Sequence, residues 1–297
     1  MVNSISANKE FYPTDHCGVL RLKTDKILLD YLVYALQVEG EYERFSRNYR
    51  ASIQKVRQLI IQVPPIEEQE KIIEEIKKVD LIIEEQKSAI EKYDEDIKSK
   101  FVEMFEEKIF PITTLGDCCL INPETDFKVI DEEISYVPMS NVGERGELVL
   151  DIKPASEINK GYTRFVENDV LFAKITPCME NGKGAIAKDL LNKCGIGSTE
   201  FHIIRPLEHI SNSYWIYYFT SMNNFRKNAQ KAMTGASGHR RVPESFITNY
   251  VVNLPPIELQ DEFASYVEEI DKLKFEANDR KNKAEIEKEN LIEKYFR

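Results

Sequence analysis

QVPPIEEQ at residues 62–69 and NLPPIELQ at residues 253–260 are two copies of one pattern, and they decide how the chain divides. Each copy follows a short β-branched stretch and precedes a long, charged segment of helical character. The paired prolines exclude a helix interior, but the second of them suits a first helical turn. Each copy therefore predicts the end of a module and the start of a long helix.

The duplication extends backwards from these two copies. Residues 19–34 align without gaps on residues 203–218. From the shared arginine to the first proline is 43 residues in the first copy and 50 in the second, so the second copy has about seven extra loop residues. Residues 111–197 precede the second aligned region and have no counterpart before the first, which predicts an incomplete module followed by a complete one. The paired positions are Arg21 and Arg205, Tyr31 and Trp215, and Tyr34 and Tyr218.

Two long helices are predicted after the paired prolines. The first has an apolar residue every seven positions between charged ones, which is typical of a coiled coil. The second has an apolar row beside a row of lysines, so it needs the first helix as its partner, most simply in antiparallel packing. The heptad positions are Ile76, Ile83, Ile90, Ile97 and Met104 in the first helix and Phe263, Ile270, Ala277, Ala284 and Leu291 in the second.

The predicted fold class is α/β, with mixed α/β modules joined by long helices that form a coiled coil. In the complete module, residues 133–139, 147–152, 169–175 and 201–205 are predicted strands, and residues 213–230 are predicted to be helical. The predicted divisions are the remnant of a first module (1–64), a coiled-coil helix (65–110), a complete module (111–257) and a second coiled-coil helix (258–297).

The formal net charge is −11, and taken alone it argues against nucleic acid, whose binders usually carry a basic face. The acidity is concentrated in the first long helix, because residues 65–112 hold eight basic and fifteen acidic residues. Residues 113–257 hold 15 basic and 17 acidic residues, and the window 226–241 within them has five basic residues and no acidic one. A local basic surface is therefore predicted inside an acidic protein.

The segment MTGASGHRRVP (233–243) ends this basic window. Its small residues form a turn that can approach a sugar–phosphate backbone closely, and the donors after them can address a phosphate or a guanine edge. An exposed basic loop without a partner is the alternative, and the pattern favours DNA contact. The predicted contacts from this window are Arg226, Lys227, Gly235, Ser237, Gly238, His239, Arg240 and Arg241.

The segment KITPCMENGKGA (174–185) offers a second set of donors around a turn. A lysine between two glycines suits a phosphate contact, although a hairpin turn with solvated lysines explains the pattern equally well. The segment NVGERGE (141–147) favours a plain surface turn over a groove contact. The predicted DNA contacts from the second set are Lys174, Thr176, Asn181 and Lys183.

Other classes of function lack their sequence signs. No apolar run approaches the roughly 20 residues of a membrane span, and no signal-peptide pattern is present, so a cytoplasmic protein is expected. The five cysteines form no CxxC pair and the four histidines lack metal-ligand spacing, so no metal site is predicted. Isolated glycine pairs lack a nucleotide-binding fingerprint, and neither a catalytic constellation nor a cofactor site is identified.

Four motifs in a fixed order resemble those of a known family. They are DVLFAKITPCMENGKGAIA (169–187), GSTEFHIIRP (197–206), MTGASGHRRVP (233–243) and NLPPIELQ (253–260), with a coiled-coil helix after them. Together with the duplication, the series resembles the specificity subunits of type I restriction–modification systems, over essentially the whole chain. The resemblance implies target-recognition domains that each read half of a split DNA site, separated by two long antiparallel helices that bind methyltransferase subunits.

The resemblance also implies the partners of the chain: double-stranded DNA, methyltransferase subunits and a restriction/translocase subunit, with S-adenosylmethionine and ATP belonging to those subunits. The chain itself is expected to bind a specific DNA sequence without catalysis. Because it keeps only about the last third of a first recognition domain, self-association or a second specificity subunit is a further expected partner. Two alternatives stay open: an assembly protein that binds methyltransferase with impaired DNA reading, and an unrecognised nuclease or methyltransferase.

Overall fold

The computed structural model describes residues 2, 4–5, 9–12, 17–45, 52–126, 132–157, 161–236 and 238–296. The fold is mixed α/β, as predicted, and divides into two compact units, Met1–Glu91 with Lys274–Arg297 and Lys92–Leu273. In the described part of the chain, no helix is both long and apolar enough to span a membrane.

The secondary structure comprises two long helices and shorter elements before and between them. The helices are α1 (Leu29–Tyr42), α2 (Ile53–Val56), α3 (Ile66–Phe101), α4 (Leu115–Cys118), α5 (Ser213–Ser221), α6 (Asn223–Ala232), α7 (Glu244–Thr248) and α8 (Ile257–Phe296). The strands are β1 (Ile112–Thr114), β2 (Cys119–Ile121), β3 (Glu133–Val137), β4 (Asp151–Pro154), β5 (Thr163–Val166), β6 (Val170–Ala173), β7 (Gly184–Ile186), β8 (Cys194–Gly197), β9 (Phe201–Pro206) and β10 (Val251–Asn253).

The helices of the two copies correspond, except that α6 has no counterpart among the described residues of the first copy. The aligned positions Leu29 and Ser213 begin α1 and α5, and the equivalent isoleucines after each proline pair, Ile66 and Ile257, begin α3 and α8. The short helices α2 and α7 precede the proline pairs in the same way. Tyr31 and Trp215, which the alignment also pairs, are both about 1% exposed. The sequence repeat is therefore a repeat of structure.

A buried glutamine closes the first copy of the repeat. Gln69 is fully buried at the start of α3, where its amide Nε2 donates to the carbonyls of Pro64 at 2.7 Å and Lys26 at 2.8 Å. Its Oε1 accepts a hydrogen bond of 2.8 Å from the backbone N–H of Leu28, the residue before α1. One side chain thus joins the beginnings of two helices and satisfies three backbone groups that the chain turns leave without partners.

The second copy has the same arrangement at the equivalent positions. Gln260 is fully buried, and its Nε2 donates to the carbonyls of Pro255 at 2.9 Å and Ile210 at 3.1 Å. Its Oε1 accepts 2.8 Å from the backbone N–H of Asn212, the residue before α5. These partners match those of Gln69 position for position, so the final glutamine of each repeated octapeptide is a structural clamp.

The predicted heptad rows are the buried faces of the long helices. In the first unit, Val79 and Ile83 of α3 pack against Ala284 of α8. Lys288 forms an ion pair with Asp80 at 2.6 Å, and the Tyr295 hydroxyl donates to Glu75 at 2.8 Å. Because the later residue of α8 contacts the earlier residue of α3, the two helices run antiparallel there, as predicted. In the second unit, the ring of Phe263 packs edge-on against the rings of Phe101 and Phe105. The helix widens after Phe101, since Val102–Glu106 form a π-helical turn.

The second unit contains two four-stranded sheets, ordered β2-β9-β6-β7 and β4-β3-β8-β5, and a two-stranded sheet of β1 and β10. Leu171 of β6 packs with Val137 and Phe165 of the other sheet, whereas its neighbour Phe172 packs on the helical side with Trp215 and Phe225. Successive strand residues point to opposite faces, so β6 is buried on both sides. The unit is therefore layered as sheet, sheet and helices.

Three predicted strands are confirmed and two details were wrong. Strands β3 and β6 lie within the predicted stretches, and β9 covers its predicted stretch and extends to Pro206. The stretch 147–152 forms a strand only from Asp151 onward, as β4. The helix predicted over 213–230 is broken at Met222, whose ψ of 141° is extended, into α5 and α6. The break turns α6 toward the segment that carries the second set of predicted DNA contacts.

Strands β6 and β9 are also joined by a buried ion pair. The Arg205 guanidinium donates from Nε to Asp169 Oδ1 at 2.7 Å and from one Nη to Oδ2 at 2.8 Å. The Asp169 side chain is fully buried, and it also accepts a hydrogen bond of 2.8 Å from the backbone N–H of Val166. The aligned residue of the first copy, Arg21, is exposed.

Candidate nucleic-acid interface

The segment 233–241 is a closed loop held at its base by two backbone hydrogen bonds. The N–H of Thr234 donates to Arg241 O at 2.9 Å, and the N–H of Arg241 donates to Thr234 O at 2.8 Å. Gly235 has φ +117°, and a Cβ there would lie 2.9 Å from the carbonyl oxygen of His239. Gly235 is therefore required by the turn itself. The predicted contact Ser237 lies outside the described residues.

This loop lies beside the segment that begins at Lys174. The N–H of Thr176 donates to Arg240 O at 3.0 Å, and the N–H of Val242 donates to Lys174 O at 2.9 Å. The hydroxyl of Thr176 also donates to the sulfur of Met233 at 3.8 Å. Lys174 and Thr176 of the second predicted set thus form one continuous surface with the loop, although more than 60 residues separate them from Arg240 in the sequence.

Arg226, one of the predicted DNA contacts, is buried and bonded within the protein. It is 8% exposed, its guanidinium lies 4.4 Å from the ring centre of Phe172, and burial lowers its pKa to about 10. The guanidinium donates to three carbonyl oxygens of the turn after Thr176, those of Met179, Gly182 and Lys183. A guanidinium committed to these acceptors under a covered surface holds the turn on α6 and is not presented to a ligand.

The other predicted donors of this region differ in how available they are. Asn181 and Lys227 are exposed, the first on the turn and the second on the outer face of α6. Lys183 is partly buried, and its ammonium donates to the carbonyl oxygen of Met139 at 3.0 Å. Asn141, in the surface turn, donates to Val149 O at 3.2 Å. The described turn and helix therefore leave Asn181 and Lys227 as the best placed for an outside partner.

Arg240 and Arg241 occupy different environments despite being adjacent. Arg240 is half-buried and donates to the carbonyl oxygens of Gln230 at 3.1 Å and Met233 at 3.0 Å, at the C-terminus of α6. A cation is favourable at that end of a helix, so Arg240 anchors the loop. Arg241 is more exposed and forms a two-point ion pair with Glu200 at 2.7 and 2.8 Å, with a further bond to His239 O at 3.1 Å.

A cleft of about 270 Å³ opens beside this surface. Burial lowers the pKa of Lys174, which lines it, and Phe201 and Ile203 provide its apolar part. The prediction missed three polar residues here: Asn122 and Arg164 in the cleft, and Glu200 next to Lys174. The motif GSTEFHIIRP contains Glu200 and was the available signal for it. The remaining lining residues are Pro123, Thr125 and Thr163.

A buried histidine supports the cleft from beneath. His202 is 4% exposed; its Nε2–H donates to Val242 O at 2.8 Å, so its Nδ1 accepts from the Asn122 amide at 2.9 Å. Burial lowers the pKa of His202, against the opposing effect of the bond to Val242. His202 is therefore neutral at pH 7 and ties β9 to the end of the loop. In the described residues, no group of three or more His, Cys, Asp or Glu side chains is placed to hold a metal ion.

We expect His202 to make this unit less stable in mild acid. Since its pKa is lower in the folded chain than in the unfolded one, where it is about 6.5, unfolding takes up a proton and stability falls as the pH drops below that value. The variant His202→Gln should lose less stability than the parent chain between pH 7.5 and 5.5, as measured by urea unfolding at both pH values. An equal loss in both chains would contradict this assignment.

Comparisons with known proteins agree with the fold and with the motifs at this surface. The type I restriction modification DNA specificity domain matches residues 3–92 and 111–288. Two curated relatives from Escherichia coli are the type I restriction enzyme EcoAI specificity subunit, 38% identical over 164 residues, and the EcoEI specificity subunit, 39% identical over 145 residues. These matches cover 52% and 48% of the chain, but only 28% and 24% of the relatives, so they span about a quarter of the relatives' length.

Solved structures share the fold at low sequence identity. The type I restriction–modification S subunit from M. genitalium aligns with a TM-score of 0.53 and 12% identity, over 92% of this chain and 73% of that one. A chain from a structural study of assembly and conformational transition in the type I restriction–modification system aligns with a TM-score of 0.52 and 14% identity, over 90% of this chain and 70% of that one. At these identities the similarity concerns the fold alone.

Proposed function

Because the chain belongs to the type I restriction modification DNA specificity domain family, we propose that it is the sequence-specific DNA-binding subunit of such a system. It would direct an adenine methyltransferase/endonuclease complex to its target and carry out no catalysis itself. The observation that carries the proposal is the continuous surface formed by the loop 233–241 and the segment from Lys174. The backbone bonds between Thr176 and Arg240 and between Val242 and Lys174 hold donors from two distant motifs on one face.

The proposed contacts are the exposed donors of this region. Lys227, His239 and Asn181 are exposed, and Arg241 is exposed enough to be reached from outside. Exposed lysine and amide groups suit phosphate oxygens and set the position of the protein on the duplex, whereas arginine suits a base edge. Gly235 and Gly238 keep the loop backbone free of side chains where it would approach the DNA. The overall charge of −11 is compatible with this because the acidity lies mainly on the long helices.

The division of labour along the chain is part of the proposal. Residues 111–257 would read DNA, while the helices of 65–110 and 258–297 would bind methyltransferase subunits and, through them, the restriction/translocase subunit. Residues 1–64 would be the end of a first module. Gln69 closes it as Gln260 closes the second, and the described residues of 1–64 form no strand. Self-association or a second specificity subunit is a further proposed partner, which would supply a second reader and give a split target site.

The test is DNA binding by the complex assembled with its methyltransferase. A target sequence is first selected from random duplexes, and its affinity is compared with that of a scrambled duplex at several salt concentrations. Arg241→Ala should weaken target binding about tenfold, since it removes one base-reading donor set. The mass of the complex should stay unchanged, because the substitution lies outside the helices. Equal affinity of the parent complex for target and scrambled duplexes would refute the proposed function, and an unchanged affinity of Arg241→Ala would remove the loop from it.

A further inference from the structure

Glu200 holds one edge of the Arg241 guanidinium. Its two carboxylate oxygens accept from Nε at 2.8 Å and from one Nη at 2.7 Å, in the two-point geometry that fixes both the position and the plane of a guanidinium. The other terminal nitrogen donates to His239 O at 3.1 Å. Arg241 thus has three hydrogen bonds to the protein although its side chain is 45% exposed. Long exposed side chains are ordinarily free to change rotamer, and this one is not.

Both terminal nitrogens of Arg241 retain a donor that the protein does not use. Of its five N–H groups, one on Nε and one on each terminal nitrogen are engaged, so each terminal nitrogen retains one N–H. Two donors that are fixed in one plane can address the paired acceptors O6 and N7 of guanine in the major groove. A phosphate does not require a fixed plane, and lysine serves it as well.

The charge of Glu200 has a second consequence. The hydrogen bond from Arg241 lowers the pKa of Glu200 below its ordinary value, so the carboxylate is ionised at neutral pH. An ionised carboxylate beside Arg241 offsets the attraction of the guanidinium for phosphates in any sequence. The pair therefore weakens sequence-independent attraction while it retains the directional donors that distinguish bases.

We propose that Glu200 is a positioning residue for base recognition, which holds Arg241 in the orientation needed to bind the O6 and N7 edge of a guanine. The inference rests on the proposed function and deepens it, because it assigns base reading to one arginine of the loop and separates it from Arg240, which anchors the loop on the C-terminus of α6. It also gives a role to a residue of the motif GSTEFHIIRP, which lies outside the basic window.

The test is the ratio of target to scrambled affinity in the complex assembled with methyltransferase. Glu200→Gln should lower this ratio about tenfold, because a good two-point contact to guanine is worth ~5- to 150-fold in discrimination. Target binding falls as Arg241 loses its fixed plane, while scrambled binding stays equal or rises with the lost negative charge. The matched control is Glu208→Gln, which makes the same charge change at an exposed position in the same unit and should leave the ratio unchanged within twofold.

Guanine is distinguished from phosphate by modifying the DNA. Each guanine of the selected target is replaced in turn by 7-deazaguanine, which lacks the N7 acceptor. At one position the substitution should weaken binding by the parent complex and have no effect on Glu200→Gln or on Arg241→Ala. If every position affects the parent and Glu200→Gln alike, Arg241 does not depend on Glu200 for a guanine contact, and the inference is overturned.

The remaining outcomes separate this inference from the proposed function. If the parent complex discriminates and Glu200→Gln discriminates equally well, the function stands and the role of Glu200 is refuted. If Glu200→Gln raises both affinities by the same factor, Glu200 competes with DNA for Arg241, and its positioning role is refuted. Retained scrambled binding and an unchanged unfolding midpoint, followed by the fluorescence of the single tryptophan, Trp215, show that the variant is folded.

Discussion

Replacing Arg205 with methionine is expected to lower the free energy of unfolding of the unit Lys92–Leu273 by about 3 kcal/mol. This value is the lower end of the cost of breaking a buried ion pair by removing one of its partners. The reason is the partner that remains. The Asp169 side chain is fully buried, whereas Arg205 is 23% exposed, so the substitution leaves a carboxylate in the protein interior with only the Val166 N–H as a described donor. The loss should appear in the urea unfolding transition of Trp215, which lies in the same unit.

Two further variants determine whether the ion pair causes this loss. Arg21→Met alters the aligned residue of the first copy, which is exposed, and it should change stability by less than about 0.5 kcal/mol. Adding Asp169→Asn to Arg205→Met should recover part of the loss, because it removes the buried charge. Similar losses for Arg205→Met and Arg21→Met, or a double variant no more stable than Arg205→Met, would contradict the assignment.

The long helices and the duplication were predictable because each depends on residues close together in the sequence. The paired prolines place the first turns of α3 and α8. The heptad spacing identifies the buried row of each helix, which includes Phe263 in α8. The short strands β5, β7 and β8 were not predicted. Their three or four residues are too few for an alternating pattern to show, and all four residues of β8 are buried, so no alternation exists there.

The candidate site was predictable as a basic region but not as a geometry. Composition reveals that residues 226–241 lack acidic residues, yet the carboxylate that binds Arg241 comes from Glu200, 41 positions earlier. Pairings over such a distance depend on the sheet order, which the sequence does not give. Arg226 is a different case, because Phe225 and Ala229 are buried on the same helix. Arg226 lies between these two residues and is buried with them on the same helix.

Replacing Gln260 with leucine should destabilise the same unit by about 3 kcal/mol. The side chain satisfies three backbone groups, the N–H of Asn212 and the carbonyls of Ile210 and Pro255. Each such group left without a partner costs roughly 1–3 kcal/mol when buried, and leucine of similar size offers no replacement bonds. Burial of the added apolar atoms offsets only part of this, so the estimate takes the lower end for each group.

The effect of Gln260→Leu can be located by amide hydrogen exchange. The N–H of Asn212 loses its acceptor, so its exchange should accelerate more than that of amides inside α5. Asp261→Ala is the matched control, because it removes the bond of 2.8 Å from the Asn212 side chain to the neighbouring carboxylate at an exposed position and should cost less than about 1 kcal/mol. Asn212 exchange no faster than in the parent chain would show that the clamp does not fix this turn.

Gln69→Leu extends the same experiment to the first copy, where the N–H of Leu28 is the equivalent reporter. We expect faster exchange of that amide, because Gln69 makes the same three bonds as Gln260 at the aligned positions. The two copies differ in what surrounds the clamp, since the sheets that precede Asn212 have no counterpart among the described residues before Leu28. A similar response in both would mean that the clamp acts locally, at the junction with the long helix, whether or not the sheets of the second unit precede it.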